Sequence, residues 1–318
     1  MNRVIGTKAG TRNGEGTVTR TASDESKGAG TVTSTAAGAT NSAVAGKRTH
    51  VGATKSNGTD NNAGNSVSKD DALLQYVLRL GDNALILGQR LAEEMTHGPE
   101  LEEELANANF ALDYIGQARM FYAYAAELEG KGRDEDFYAF RRDGNEFRNL
   151  LLVEQPNGHF GDLIARQFLF ESFYELQLNA LTRCHDERLA AIAARAEKEI
   201  RYHLRHIDQW IIRLGDGTEE SHQRIQRSLD DLWRFGGEAF DGDDIDDAFA
   251  DYFNGPDLAA LQSRWKERVA SVLSEATLTM PEDAWMDGGG RAGRHTEHFG
   301  YLLAEMQFLQ RAYPDARW

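Results

Sequence analysis

The chain has 318 residues, a formal charge of −16 at pH 7 and a single cysteine, Cys184. Residues 1–69 carry nine Lys/Arg and four Asp/Glu, so the remaining residues carry a net charge of −21 and are poorly suited to bind nucleic acid. A single cysteine excludes a disulfide framework and a thiolate metal cluster within one chain. Without an apolar run of about 18 residues or a secretory signal, the sequence predicts a cytoplasmic protein that does not span a membrane.

The basic residues are mostly arginines, because only eight of the 35 are Lys. An acidic, Lys-poor surface suits a high-salt cytoplasm, in which salt screens the repulsion between carboxylates. An Arg-rich composition of the whole genome explains the same numbers equally well, so both interpretations stay open. We interpret Cys184, near the end of an apolar helix, as a small buried hydrophobe and not as a nucleophile.

Residues 1–69 differ in composition from the rest of the chain. They are rich in Gly, Thr, Ser, Ala and Asn, and they contain no Phe, Trp, Tyr or Leu. Such a segment buries too little apolar surface to offset the loss of backbone entropy on folding. We therefore predict a disordered low-complexity tail over residues 1–69 and one helical domain over residues 70–318.

Helical periodicity dominates the predicted domain. A first helix is expected from Asp70 to about Met95, because the carboxylates of Asp70 and Asp71 suit a helix start. No segment shows the alternation typical of a strand. The pattern predicts an all-α bundle of four long helices with additional, smaller C-terminal helices. The other predicted helices cover residues 100–129, 135–141, 162–185, 187–214, 219–240, 257–276 and 296–312.

Each of the four long predicted helices carries one carboxylate on its apolar side. Di-iron carboxylate bundles use Glu from two helices and Glu-x-x-His from the other two. Here the residue three positions after Asp113 is Gly116, and the one three positions after Glu199 is Tyr202. Because both imidazoles are missing at this spacing, we predict a relinquished di-iron site. Its vestigial positions are Asp82, Asp113, Gly116, Glu171, Glu199 and Tyr202.

An intact metal site is the alternative, because His203 lies four residues after Glu199 on the same helix face. Its candidate ligands are Asp82, Asp113, Glu171, Glu199 and His203. We favour a metal-free polar cluster, in which His203 and His206 are amphipathic histidines on a partner-facing side. Buried carboxylates must be neutralised. The candidates for this role are Lys198, Arg201, Arg119 and protonation of one acid.

Two predicted loops, residues 150–161 and Gly288–His298, contain few helix-forming residues but several residues with a possible functional role. The segment Gly288–Arg294 is glycine-rich but lacks the spacing of a phosphate-binding loop, so we interpret it as an interface or helix-entry loop. His295 and His298 could form a metal pair at the start of the last helix. Helix capping and contact with another protein chain are the preferred interpretation of these histidines.

Eight short segments stand out in order along the helical part. They are Leu78–Asn83 (LRLGDN), Leu112–Arg119 (LDYIGQAR), Asn149–Gly158 (NLLLVEQPNG), Ile164–Gln167 (IARQ), Glu199–Arg205 (EIRYHLR), Leu232–Phe235 (LWRF), His295–His298 (HTEH) and Leu303–Gln307 (LAEMQ). From about Leu74 to Trp318 the chain resembles the C-subunit family of the ring-1,2-phenylacetyl-CoA epoxidases, the PaaC type. Residues 1–69 have no counterpart in this resemblance.

The resemblance implies a ferritin-like fold and a non-catalytic structural role in a monooxygenase that epoxidises the ring of phenylacetyl-CoA with dioxygen. It implies no cofactor in this chain, a di-iron centre in a homologous catalytic A subunit, and NADPH, flavin and iron–sulfur groups in a reductase subunit. The implied partners are the A subunit, a small B subunit and the reductase. Three alternatives stay open: a related CoA thioester as substrate, a self-sufficient di-iron oxygenase, and a ferritin-like assembly protein unrelated to oxygenation.

Overall fold

The computed structural model describes residues 67–283, 285–314 and 316, and within these ranges the chain forms nine α-helices and no β-strand. The prediction of an all-α, ferritin-like helical bundle is confirmed. Of the tail predicted to be disordered, residues 1–69, residues 1–66 lie outside the described residues, and Lys69 belongs to the first helix. The helices are α1 (Lys69–Glu93), α2 (Leu101–Glu129), α3 (Glu135–Phe140), α4 (Phe160–Leu181), α5 (Glu187–Gly215), α6 (Glu219–Trp233), α7 (Asp244–Phe253), α8 (Leu258–Glu275) and α9 (Glu297–Ala312).

Helices α1 and α4 form the centre of the bundle. Every residue from Tyr76 to Gly88 in α1 and from Leu163 to Tyr174 in α4 is buried. A helix buried on all sides needs apolar residues around most of its circumference, and both segments meet this condition. Helix α1 packs against α2 and α7, and α4 packs against α5, α6 and α8, while α2 also contacts α5. Polar residues on α1 and α4 therefore point into the protein whichever face they occupy.

The helix ends follow local side-chain chemistry. Ser68, and not Asp70 or Asp71, caps α1, because its hydroxyl accepts a hydrogen bond from the Asp71 backbone N–H at 3.1 Å. Asp70 and Asp71 lie in the first turn, where their negative charges favour the helix N-terminus. Helix α2 ends at Gly130, whose φ of 65° is the left-handed conformation that glycine adopts at low cost.

The C-terminal helices differ from the prediction in two places. The helix predicted over residues 219–240 ends at Trp233, and a short 3-10 helix follows at Gly237–Phe240. Adjacent glycines at 236 and 237 explain the break, because glycine weakens a helix interior. Helix α7 was not predicted. The Asp243 side chain caps it by accepting hydrogen bonds from the Ile245 and Asp246 backbone N–H groups.

No helix in the described part of the chain is both long and apolar enough to cross a membrane.

Candidate functional site

Asp82 lies at the centre of α1 with 0% of its surface exposed. Its carboxylate forms an ion pair with Arg142, which follows α3, and the Arg142 side chain is itself 5% exposed. The Tyr122 hydroxyl and the Arg148 backbone N–H also donate hydrogen bonds to Asp82, at 2.6 and 2.7 Å. Burial by itself lowers the pKa of Arg142, but the Asp82 carboxylate outweighs burial and raises it. Both carboxylate oxygens are therefore taken by donors of this chain.

His203 lies between two carboxylates from other helices, and it is fully buried. Its Nε2 is 3.1 Å from Asp113 Oδ2 on α2, and its Nδ1 is 3.5 Å from Glu171 Oε1 on α4. The second contact is too long for a good hydrogen bond and acts mainly through charge. The Tyr114 hydroxyl donates to the same Glu171 oxygen at 2.8 Å. Burial lowers the pKa of His203, but the two carboxylates outweigh it and raise the pKa to about 9.

Glu199 lies one turn before His203 and is partly exposed. The Gln117 amide donates to Glu199 Oε2 at 3.0 Å, and Arg195 Nε donates to Oε1 at 3.3 Å. The Tyr174 hydroxyl donates in turn to the Gln117 amide oxygen at 3.2 Å. Asp113, Glu171, Glu199 and their partners thus form one polar layer between α2, α4 and α5. Asp82 is not part of this layer, because it pairs with Arg142.

Gly116 and Tyr202 do not lie where the prediction of two lost imidazole positions requires. The Tyr202 side chain is on the outside of α5 and is 59% exposed. Gly116 is exposed on α2, and a Cβ added to it would have no neighbour within 4 Å. The prediction that these residues stand in for interior ligands is therefore wrong. The prediction that the four carboxylates are remnants of a di-iron site stays a prediction.

The prediction that Lys198, Arg201 and Arg119 neutralise the buried carboxylates is also wrong. Arg119 is on the surface and pairs with Glu135 at 2.9 Å. Arg201 pairs with Glu197 and lies 3.9 Å from Glu175. Lys198 is exposed. The buried carboxylates instead receive Arg142 and His203, so His203 faces the bundle core and not a partner.

The residues present do not fit a di-iron centre. Asp82 is saturated by Arg142, Tyr122 and the backbone, as described above. In the described ranges no group of three or more His, Cys, Asp or Glu side chains is arranged to hold a metal ion. The His203 imidazole occupies the space between Asp113 and Glu171, and these carboxylates raise its pKa, so an imidazole of this chain lies where a metal would have to bridge them.

The two predicted loops, residues 150–161 and Gly288–His298, are joined by buried hydrogen bonds. Glu154, which is fully buried, accepts hydrogen bonds from Asn149 Nδ2 at 2.9 Å and from the Thr296 backbone N–H at 2.6 Å, and its Oε2 lies 2.7 Å from His295 Nδ1. Glu238 likewise accepts from the backbone N–H groups of Leu151 and Gly289, at 2.8 and 2.9 Å. Through these hydrogen bonds, Glu154 and Glu238 hold the segment before α9 in place against the rest of the protein.

Comparison with known proteins shows to which family the chain belongs. A family model described as phenylacetic acid catabolic protein matches residues 56–318. The chain belongs to the phenylacetic acid catabolic protein family. It is 50% identical over 246 residues to the C subunit of the 1,2-phenylacetyl-CoA epoxidase of Escherichia coli (strain K12), an alignment that covers 77% of this chain and 99% of that relative. The resemblance inferred from the short segments is thereby confirmed.

Sequence reasoning missed or misassigned several residues that organise this member of the phenylacetic acid catabolic protein family. Arg142 gave no signal, because it lies outside the long helices. His203 did give one, because it continues the apolar spacing of α5 through Ala196, Ile200 and Ile207, all of which are buried. The same spacing excludes Tyr202 from the core. Tyr114, Tyr122 and Gln117 supply hydrogen bonds that only the packed bundle reveals.

Proposed function

We propose that this chain is the C subunit of a phenylacetyl-CoA epoxidase, a structural and non-catalytic partner of a di-iron subunit in phenylacetate catabolism. The relative from Escherichia coli supports the proposal, because the alignment covers nearly all of that protein. Family membership supports the metabolic context. The proposal places the complex in the cytoplasm.

One observation carries the non-catalytic role. Asp82, the carboxylate of the central helix α1, is buried in an ion pair with Arg142. A buried guanidinium already supplies the counter-charge that a metal would supply, and removing it to free the carboxylate is costly. Under the proposal, Asp82 therefore has a structural role in this bundle, and the iron is bound by the partner subunit.

The proposal assigns the cofactors to other chains. The di-iron centre belongs to a homologous A subunit, and NADPH, flavin and iron–sulfur groups belong to a reductase subunit. The assembly also includes a small B subunit. This chain then contributes a rigid surface that holds the catalytic subunit in its active arrangement.

Metal analysis and reconstitution test the proposal. The purified chain should carry no stoichiometric iron and should not oxidise phenylacetyl-CoA with dioxygen and the reductase. Adding the di-iron subunit should restore oxidation, and omitting this chain from that mixture should remove it. About two iron atoms per isolated chain, together with turnover, would favour the self-sufficient oxygenase instead.

An active-site control makes the result specific. Glu171→Gln removes a charge from the bundle of this chain, and under the proposal the reconstituted complex keeps its activity once the variant is shown to fold. Replacing a carboxylate iron ligand in the di-iron subunit should abolish activity. Loss of turnover with a folded, partner-bound Glu171→Gln chain would contradict the non-catalytic role.

A further inference from the structure

Helix α2 is apolar on two opposite faces. One face is packed in the core through Phe110, Tyr114 and Phe121. The opposite face is open to solvent: Leu101, Leu105 and Leu112 expose 69%, 57% and 67% of their surface. Helices with this distribution are normally covered on both sides. We call this outer set of exposed and half-buried residues the α2 stripe, and it consists of Leu101, Leu105, Ala108, Leu112, Gly116 and Ala123.

The spacing of the α2 stripe is that of one helix face. Its members follow one another at intervals of three, four or seven residues, which places them within a narrow sector of the helix. Between Leu101 and Ala123 the stripe extends over about 33 Å at 1.5 Å per residue. Asn109 lies at its edge, and the exposed Arg119, three residues after Gly116 and four before Ala123, is a charged residue within the same sector. A surface of this length matches a helix from another subunit lying across α2.

Gly116, in the C-terminal half of the stripe, has no contact within the described chain that requires glycine. Nothing lies within 4 Å of a Cβ added there, and it is not among the residues with positive φ. Glycine inside a helix is less favourable than alanine, and Gly300 on α9 shares this feature, so each glycine marks a surface on which an external cause is to be sought. Close approach of another backbone is such a cause.

The fold itself uses glycine in this way where α1 crosses α2. A Cβ at Gly81 would lie 2.6 Å from the Tyr122 ring, and one at Gly88 would lie 3.1 Å from Tyr114 Cβ. These glycines let the two helices approach each other. Gly116 carries the same feature on the opposite face of α2, where the described part of this chain offers no helix to fill it.

A row of basic residues lies on the exposed face of α5, the helix that α2 contacts. Arg195, Lys198, Arg201 and Arg205 are all exposed, although residues 70–318 as a whole carry a net charge of −21. Within this chain Arg195 pairs with Glu199 and Arg201 with Glu197, whereas Lys198 and Arg205 form no ion pair in the described residues. Tyr202 lies among them and contacts Phe110 of α2 edge-on, with ring centroids 6.3 Å apart. Antiparallel pairing of α2 with a second copy would bring two such basic rows together, which is unfavourable. An acidic edge on a different subunit would complement the row.

We propose that the α2 stripe is the docking surface for a helix of the catalytic di-iron subunit, with the crossing point at Gly116 and an acidic edge of that subunit against the α5 basic row. This inference rests on the proposed function and names the surface through which it is exerted. The apolar outer face of α9, which includes Tyr301 and Phe308, is the rival surface.

Two matched glycine variants separate the surfaces. Gly116→Trp and Gly300→Trp place the same side chain on exposed helix positions that both have no neighbour within 4 Å, one on α2 and one on α9. Both chains should fold, as judged by circular dichroism and thermal unfolding. Binding of the intact di-iron subunit should weaken on the order of 100-fold in Gly116→Trp and stay unchanged in Gly300→Trp.

Two further variants test the stripe and the basic row. Leu112→Glu, at a position already exposed, should weaken binding as Gly116→Trp does without unfolding the chain. Lys198→Glu combined with Arg205→Glu should slow association by about tenfold at low salt and have a smaller effect at high salt.

The outcomes are distinguishable. Failure of the wild-type chain to bind the di-iron subunit overturns the proposed function together with this inference. Wild-type binding with an unaffected Gly116→Trp variant overturns the inference alone, and so does a loss confined to Gly300→Trp, which would place the contact on α9. Self-association of the wild-type chain that Gly116→Trp abolishes would assign the stripe to a second copy and likewise overturn it.

Discussion

Arg142 and Asp82 form a buried ion pair between residues 60 positions apart in the sequence. The Arg142 side chain is 5% exposed and the Asp82 side chain is 0% exposed. Tyr122 donates to Asp82 as well, so the carboxylate is held by both a charge and a neutral hydrogen bond. Removing one partner of such a pair leaves the other charge buried without compensation.

Arg142→Met is therefore expected to destabilise the protein by about 3–5 kcal/mol. Urea denaturation followed by circular dichroism measures the change. Arg119→Met is the control, because Arg119 is 75% exposed and its pair with Glu135 contributes at most about 1 kcal/mol. The double variant Arg142→Met with Asp82→Leu should recover most of the loss. A single-variant loss below about 1 kcal/mol would contradict the burial of a charged pair.

His203 should make stability depend on pH. Its pKa is raised from 6.5 to about 9 by Asp113 and Glu171, against the effect of burial. A raised pKa contributes stability that is fully present below the unfolded value near 6.5 and is lost as pH rises through about 9. The contribution is at most about 3 kcal/mol, because the Asp113 side chain is 41% exposed and solvent screens it.

His203→Gln is expected to remove this pH dependence. The difference in unfolding free energy between wild type and variant should be largest near pH 6 and should shrink towards about pH 10. Denaturation curves at several pH values measure it, and NMR titration of the imidazole gives the pKa directly. His185→Gln, at an exposed position, is the control. Parallel stability curves for wild type and His203→Gln would rule out a charged His203 in the core.

Glu154→Ala should loosen the start of α9. The variant leaves buried donors on Asn149, His295 and the Thr296 backbone without their acceptor, which costs about 2–4 kcal/mol. Hydrogen exchange should increase at the first turn of α9 before it increases in α1 or α4. Glu305→Ala, on the exposed side of α9, should leave exchange unchanged. Equal exchange in wild type and Glu154→Ala would show that other contacts hold this segment.

Cys184 should react slowly with thiol reagents in the native protein. It is 8% exposed, and burial raises the pKa of its thiol, so the reactive thiolate is scarce at neutral pH. Labelling of the native chain is expected to be on the order of 100-fold slower than labelling in urea, where one thiol per chain should react. Equal rates in the two conditions would mean that the end of α4 opens readily.

The sequence predicts the large elements of the fold because long helices have strong periodicity. The predicted ranges of α1, α2, α4 and α5 differ from the observed ones by at most four residues at either end. Helix α7 escaped prediction because four of its ten residues are Asp, which favour loops, although its Asp243 cap was a usable signal.

The site was predictable only in part. The carboxylates of Asp82 and Glu171 were expected among apolar neighbours, and both are buried. Their partners depend on tertiary packing: Arg142 lies in a segment without periodicity, and His203 was one residue away from the position that a metal-binding motif requires. The spacing of apolar residues on α5, used alone, would have placed His203 in the core and Tyr202 outside.

The hydrogen bonds that attach α9 and the segment before it to the rest of the protein have a consequence for synthesis of the chain. Arg90 Nη2 of α1 donates to the backbone carbonyl of His298 at 3.3 Å, and these residues are 208 positions apart. At roughly 5 to 20 residues per second, the ribosome needs about 10 to 40 seconds to make that length of chain. During this interval the nascent central helices lack their last anchor while the α2 stripe has already emerged. Chaperones and, under the proposed function, the di-iron subunit can therefore both contact the stripe before the polypeptide is released.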